Sequence, residues 1–423
     1  MTTGTPTPDL AELRGFKQLR RVAKLLRAVH DSGGARDAAG NRELHFDDYV
    51  LLVLLFLFNP AVDSMRQLQR VAGLAEVRRK LGVRRFSLGS FSESCRVFGP
   101  QKLQGVVAQL ASRLRPVGRN ELFQDLPHVI ELVDGTVIDT LCTVTRAMYV
   151  TRVDGSRRHA FKLHPGFEVD RHVPTHFAVT DARGAGDSDE RDVLRKRIEP
   201  GHTYVMDRGY AQFRLSNAVH AAGSSYVCRV RDNTAPAAVL RENPPGDADR
   251  DAGVLCDRVV TLGRPSGVTG ECDHPVRLVC VRATPHAKRG KYPGGTSGPA
   301  SDGVLRIATN LPDDVPAHVV AFLFRARWTI EVFIRFFKQA LGCRHLPSTR
   351  EQGVEVQVYA AVIACMMLNT LTGRKPGKWM VTLMSLYLAG LAGEADVLRE
   401  LTRTDNTGVK RAAKDDLWKN LGY

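Results

Sequence analysis

Cys-X-X-Cys pairs are absent from this 423-residue chain, whose eight cysteines stand at 95, 142, 228, 256, 272, 280, 343 and 365. Scattered in this way they argue against a zinc ribbon and, at this length, a disulfide scaffold; they read as reduced thiols of a cytoplasmic protein. The opening MTTGTPTPDLAELRG has no basic-then-apolar pattern, so no secretory leader is expected. One apolar run, 49–58, is too short to cross a bilayer and is expected as a buried helix, with no membrane partner. A GxxxxGK[ST] phosphate loop is missing too, so no nucleotide cofactor is expected. Neither serine nor cysteine sits in a nucleophile elbow, which argues against a hydrolase built on a covalent intermediate.

Positive charge, by contrast, is abundant. Lys and Arg number 60 against 45 Asp and Glu, a formal net charge of +15. Such an excess creates a field suited to a polyanion, with binding weakened by salt through counterion release. Charge alone fits a merely basic soluble protein equally well, so the chemistry has to come from motifs. The apolar share of 43% and charged share of 25% are ordinary for a globular chain. Two or three structural units are expected at this length.

Residues 10–120 read as helical. Apolar positions recur at helical spacing over 13–29, 66–81 and 92–114 with basic residues between them, and Asn59-Pro60 stops the buried run. The texture changes near 127. Strands are predicted over 128–133, 161–169, 175–181, 203–206 and 225–230, with helices near 188–197 and 215–222. This mixture indicates an α/β core. Residues 232–302 are rich in Pro, Gly and Asp yet keep strand-like pieces at 256–262 and 276–282, as a β-rich insertion would. A strand at 305–310 and helices over 320–341, 355–372 and 378–400 complete the reading; 402–419 is polar and expected to be peripheral. The expected divisions are a helical region over 1–122, a core over 123–345 and a helical region over 346–423.

Three carboxylates carry the chemistry. Asp134 and Asp207 each follow a short apolar strand, with Gly135 and Gly209 close behind. Alone, either reads as a turn residue, because Asp and Gly are common in turns. Glu331 lies on the predicted helix 320–341, where Phe324, Arg327, Glu331 and Lys338 fall within an arc of roughly 60°. That face offers a ring, a guanidinium, a carboxylate and an ammonium; Arg327 and Glu331 also fit a plain i, i+4 ion pair. Carboxylates from two strand ends and a helix can converge on hard divalent cations, which take oxygen ligands.

Taken together, Asp134-Gly-Thr136, Asp207-Arg-Gly-Tyr210 and Arg327-Trp-Thr-Ile-Glu331 with Lys338 resemble the DDE transposases of the IS-four insertion-sequence type. Around the glutamate that family has Tyr, two residues, Arg, three residues, Glu, six residues and Lys. The chain matches this at Phe324, Arg327, Glu331 and Lys338, and the Thr309-Asn310-Leu311 run also looks like the family. The resemblance implies an RNase H-like catalytic core with a β-rich insertion before the glutamate helix. It implies Asp134, Asp207 and Glu331 as catalytic metal ligands, with Mg²⁺ or Mn²⁺, two ions per site. It also implies double-stranded DNA as partner, both as terminal inverted repeats and as target, and self-association in a paired-end complex. Localisation would be the bacterial cytoplasm, on the nucleoid when DNA is bound. Arg327 and Lys338 would hold phosphates, and Trp328 would stack on a displaced base or pack as a half-buried helix aromatic.

One departure is visible: the family tyrosine is Phe324, which keeps the ring and loses a hydroxyl. It leaves a competing class open, a decayed or regulatory DNA-binding protein derived from such an enzyme. A nuclease that cuts without joining is a third. His164, His172 and His176 are set aside as a zinc site: Pro174 disfavours a helix, and on a strand His172 and His176 would lie roughly 13 Å apart. Lys162 and His164 share a strand face and are read as structural. Asp139, Asp181 and Asp187 are read as turn or solvated residues, with Asp187 as the reserve acid.

Overall fold

The computed structural model describes residues 17–32, 43–58, 62, 64–114, 121–126, 128–139, 148–151, 157–181, 184, 186–231, 234, 236–263, 270–283, 302–340, 351–372 and isolated positions between 379 and 400. Short runs rich in apolar and β-branched residues make strands after residue 128, and β1, β6 and β7 among them are buried on both faces. These are β1 (Val129–Val133), β2 (Thr136–Asp139), β3 (Met148–Thr151), β4 (Arg157–Glu168), β5 (Val173–Asp181), β6 (His202–Met206) and β7 (Ser225–Arg229). Four more follow: β8 (Pro236–Asn243), β9 (Val254–Leu262), β10 (Val276–Arg282) and β11 (Val304–Thr309). All eleven belong to one mixed sheet.

Its centre runs β5–β4–β1–β6–β7. Strands β1, β6 and β7 are parallel, β4 is antiparallel to β1, and β5 is antiparallel to β4. Helix α7 (Glu190–Arg195) lies between β5 and β6 in the chain, and α8 (Phe213–Ala221) between β6 and β7. This order and these directions are those of an RNase H-like core, as the family resemblance implied. Among its described residues, the Pro- and Gly-rich segment builds no sheet of its own. Beyond β7 come β11, β10, β9 and β8, each antiparallel to its neighbour, so the same sheet is prolonged; α9 (Asp247–Asp251) sits between β8 and β9 in sequence.

Strand alternation sorts side chains into two clusters. Tyr204 and Met206 of β6 face Leu194 of α7 and Leu215 and Val219 of α8. Val205 between them joins the opposite cluster, shared with the N-terminal helices α1 (Lys17–Leu26), α2 (Phe46–Phe58), α3 (Met65–Ala72), α4 (Ala75–Leu81), α5 (Leu88–Val97) and α6 (Leu103–Arg113). The later helices α10 (Ala317–Ala326), α11 (Trp328–Ala340) and α12 (Glu351–Thr372) contribute to that cluster too. Residues 358–366 of α12 are buried on every side, because the helix packs against α2, α5, α6 and β5 together. Among the described residues, no helix is long and apolar enough to cross a membrane.

Three predicted helices are each divided in two. The stretch 66–81 breaks at Gly73-Leu74, between α3 and α4; Gly99-Pro100 separates α5 from α6 through a 3-10 turn. The stretch 320–341 is interrupted at Arg327, where Arg327 N–H bonds Phe324 O at 3.2 Å and Ile330 N–H bonds Arg327 O at 3.1 Å, three residues apart instead of four. Strands β2, β3 and β8 were not foreseen. The predicted helix 378–400 lies mostly outside the described residues, and 402–419 wholly so.

Two polar devices fix the far half of the sheet. Asn310 Oδ1 accepts from Tyr226 N–H at 2.8 Å, and its amide donates to Ser224 O at 2.9 Å, while the Thr309 hydroxyl donates to Tyr226 O at 2.5 Å. The Thr309-Asn310-Leu311 run therefore clamps the end of β11 to β7. Arg277 of β10 makes a two-pronged bond to Asp257 of β9, at 2.9 and 2.7 Å, and donates to the carbonyls of Pro312 and Val315 at 2.8 and 2.7 Å. Both charges are buried, so each depends on the other. Arg277→Met is expected to destabilise the protein by about 3–5 kcal/mol in denaturant unfolding, through the stranded Asp257 carboxylate. Adding Asp257→Leu should recover most of that loss; a double variant no more stable than the single would refute this account.

Candidate active site

The two aspartates are brought together by strand pairing. In the parallel pair β1–β6, Val133 lies opposite Met206, so the following residues, Asp134 and Asp207, leave adjacent strands side by side. Neighbouring strands are roughly 4.8 Å apart. The location is the carboxyl end of the parallel strands, where α/β sheets hold their ligands. Asp134 Oδ1 accepts the Gly135 N–H at 2.9 Å. Asp207 keeps an extended backbone and opens a 3-10 turn at Arg208–Tyr210, with Tyr210 buried under it.

The third carboxylate arrives on α11. Glu331 lies in that helix's first turn, where the positive end of the helix dipole favours an acid. Its Oε1 accepts from Arg327 Nη2 at 2.7 Å. Arg327 is 9% exposed and its guanidinium lies 5.9 Å over the Phe324 ring, itself buried. Burial pulls the Arg327 pKa down, but Asp207, Glu331 and Asp134 together hold it above its usual value. Arg327 thus touches or feels all three acids. Asp134 is pushed up to about 6, chiefly by burial, with Glu331 and Asp207 adding repulsion against the opposing pull of Arg327 and the Gly135 N–H.

Among the described residues, no choice of one oxygen from each of the three carboxylates brings all three within 4.8 Å of one another; Arg327 bonds Glu331 and lies in the field of Asp207 and Asp134. The donors are carboxylate oxygens, the chemistry that hard divalent cations take.

The remaining expected residues fall as follows. Trp328 is half-buried at the start of α11. Lys338 belongs to α11, and its side chain lies outside the described residues, as does that of Asp139. Asp187, the reserve acid, is exposed and pairs with Lys196 at 2.7 Å. His172 occupies the β4–β5 turn with φ 52°. His164 bonds Thr180 at 2.8 Å and His176 approaches Gln104 at 3.3 Å. Burial lowers these two imidazoles to about 4 and about 3, so both are neutral structural residues.

One acid escaped the sequence reading. Glu190, the first residue of α7, pairs with Lys162 of β4. A methyl group on Gly135 would fall 2.5 Å from Glu190 Oε2, and one on Gly209 would fall 2.9 Å from Glu190 Oε1. The glycines after both aspartates mark the place where that carboxylate sits. The signal was the pair of glycines, read only as turn formers.

Comparison with known proteins gives the family. The family model described as "Transposase DDE domain" matches residues 126–367, more than half of the chain. A relative from Sinorhizobium fredii named as transposase y4zB is 25% identical over 243 residues, 57% of this chain and 60% of its own length. The chain thus spans less than two thirds of that relative. A Geobacillus stearothermophilus relative, "Probable transposase for insertion sequence element IS5377", is 39% identical over 309 residues, 73% of each chain. Among solved structures, the piggyBac transposase synaptic complex with hairpin DNA aligns with a TM-score of 0.41 and 10% identity, covering 94% of this chain and 84% of that one.

The raised Asp134 pKa fixes a sign. Its ionisation opposes folding, a cost absent below its ordinary 3.8 and complete once the pH has passed about 6. Asp134→Asn should therefore stabilise the metal-free protein at pH 8 by roughly 2 kcal/mol in denaturant unfolding. The gain should vanish as the pH falls towards 4. An Asn variant less stable than wild type at pH 8 would contradict the crowding of acids described above.

Proposed function

The chain belongs to the transposase DDE domain family, and from that premise we propose that it is a DNA transposase that cleaves the ends of an insertion sequence and joins them to target DNA. The observation carrying this reading is the gathering of Asp134, Asp207 and Glu331 around the buried Arg327. Asp134 and Asp207 follow the carboxyl ends of the parallel strands β1 and β6, and Glu331 comes from α11, in a strongly basic chain. A protein that only gripped DNA would be weakened by acids facing phosphate.

Asp134, Asp207 and Glu331 are assigned as ligands for two Mg²⁺ or Mn²⁺ ions, which the all-oxygen donor set and the elevated Asp134 carboxyl fit. Such ions supply an activated water or 3′-hydroxyl and stabilise the departing oxygen. The chain's own residues orient and neutralise. Arg327 is restrained by Glu331 on one side and the Phe324 ring on the other, so its charge is fixed before substrate arrives. It is assigned to phosphate beside the cut, with Lys338 further along α11. Trp328, half-exposed next to Arg327, is assigned to stacking on a displaced base. Phosphoryl transfer of this kind needs no covalent nucleophile from the protein.

Terminal inverted repeats and target DNA are the proposed partners, with two copies of the chain pairing two ends. The helical region at the front of the chain is assigned to end binding. Arg66 and Arg70 of α3, Arg78 of α4, and Arg84 and Arg85 beyond it are all exposed on one short stretch of that region. Phosphate contacts from such a stretch give affinity that falls as salt rises.

The family tyrosine missing at Phe324 raises the alternative of a catalytically silent DNA-binding protein. The ring nevertheless still lies under Arg327, so the loss of the hydroxyl leaves that neighbour of the acids in place. Incubation with labelled insertion-sequence ends and Mg²⁺ separates the two readings. The transposase is expected to give cleaved and joined products. Asp207→Asn should abolish both while retaining end binding at low salt. Normal strand transfer by that variant would sink the assignment, and specific binding without cleavage under any divalent metal would establish the silent protein instead.

A further inference from the structure

Glu190 occupies a place no packing argument explains. Its two carboxylate oxygens lie against different backbones: Oε2 against Gly135, next to Asp134, and Oε1 against Gly209, two residues past Asp207. Alanine at 135 and 209 with an apolar residue at 190 would fill the same volume without a charge. The chain instead opens both backbones with glycine and sets an acid between them. A partly buried carboxylate beside two others is unfavourable unless a counter-charge is near. Lys162 provides it from β4, its ammonium bonded to Glu190 and its Cε 2.7 Å from where a Gly135 methyl group would stand. Tyr210, buried below Asp207, has a hydroxyl with no hydrogen-bond partner among the described residues, and it lies within the field of both Glu190 and Asp134.

We propose that Glu190 is a fourth carboxylate of the catalytic site, neutralised by Lys162 in the metal-free protein and contributing to divalent-cation binding beside Asp134 and Asp207. The inference rests on the metal-dependent reading given above. Lys162 is then the ion's competitor: it balances Glu190 when no cation is present and releases it when one binds. This predicts opposite effects from the two halves of the pair. Removing the Glu190 charge weakens cation binding, whereas removing the Lys162 charge strengthens it. An ion pair that serves only the fold gives no such opposition.

The test is titration with Mn²⁺ followed by electron paramagnetic resonance of the free ion, on wild type, Glu190→Gln and Lys162→Met, with thermal midpoints recorded alongside. Glu190→Gln should bind Mn²⁺ about ten-fold more weakly, the scale of a lost supporting residue at a metal site. Lys162→Met should bind it more tightly than wild type. Unchanged affinity in Glu190→Gln, or weakening in both variants, overturns the proposal. Lys162→Met keeps the test decisive should Glu190→Gln fail to fold: affinity there at or below wild type also overturns it. Asp134→Asn separates this inference from the reading beneath it. If wild type shows no Mn²⁺ binding that Asp134→Asn removes, the metal assignment falls and Glu190 with it. If that binding is present but insensitive to Glu190 and Lys162, the fourth carboxylate alone falls.

Discussion

The parallel register that sets Val133 opposite Met206 obliges two aspartates to emerge from neighbouring strands at one edge of the sheet. A shift of one residue along either strand would send one of them to the other face, because side chains alternate. Both strands are held against such a slip by their neighbours. On β1, Ile130 and Leu132 join one hydrophobic cluster and Val133 the other; on β6, Val205 and Met206 divide likewise. The acids are therefore positioned by two cores, and the position cannot be altered without burying polar groups or exposing apolar ones.

The third acid comes from a more distant part of the chain, and its delivery depends on the prolonged sheet. Between β7 and α10 the chain makes four antiparallel strands before it returns. Arg277 then ties β9 and β10 to the carbonyls just ahead of α10, and Asn310 fastens the end of β11 to β7. The inserted strands thus act as a bracket that returns α10 and α11 to the edge where Asp134 and Asp207 wait. Arg327 sits where the two helices meet. The break there lets the guanidinium pass over the Phe324 ring and still reach Glu331 one turn on.

Much of this was legible in the residues. Short apolar runs located most central strands within one to four residues, since β1, β6 and β7 are buried on both faces and so read as continuous apolar stretches. The joint spacing of Asp134, Asp207, Arg327 and Glu331 singled out the acids that the structure brings near Arg327, where each alone read as a turn or an ion pair. Other features were hidden for physical reasons. Strand β8 is largely exposed, so it lacks the apolar alternation that marks a strand. The helix breaks at Gly73 and Arg327 keep helical periodicity on both sides, so the apolar pattern runs through them. Glu190 was invisible because it lies against the backbones of two glycines and its ion-pair partner, Lys162, is 28 residues away on another strand; Asp187 was the more conspicuous acid and is exposed.

Unrelieved polarity is shared between the site and other parts of the molecule. Arg277 is matched by Asp257 and by two carbonyls, whereas Arg197 Nε and Nη2 and Gln357 Oε1 are buried without partners among the described residues. Near the aspartates the matching is incomplete: Arg327 Nε and the Tyr210 hydroxyl are buried without partners among the described residues, and Asp134 is driven towards its neutral form. Unsatisfied groups of this kind each carry a penalty of about 1–3 kcal/mol. They are tolerable where two well-packed clusters supply the stability, and at this site a ligand would relieve them. A cation among the acids would favour ionised Asp134, and phosphate would offer Arg327 the acceptors it lacks. The electrostatic cost of burying these groups is thus the counterpart of the affinity proposed for the site, since a cation and a phosphate would offer them the partners they lack.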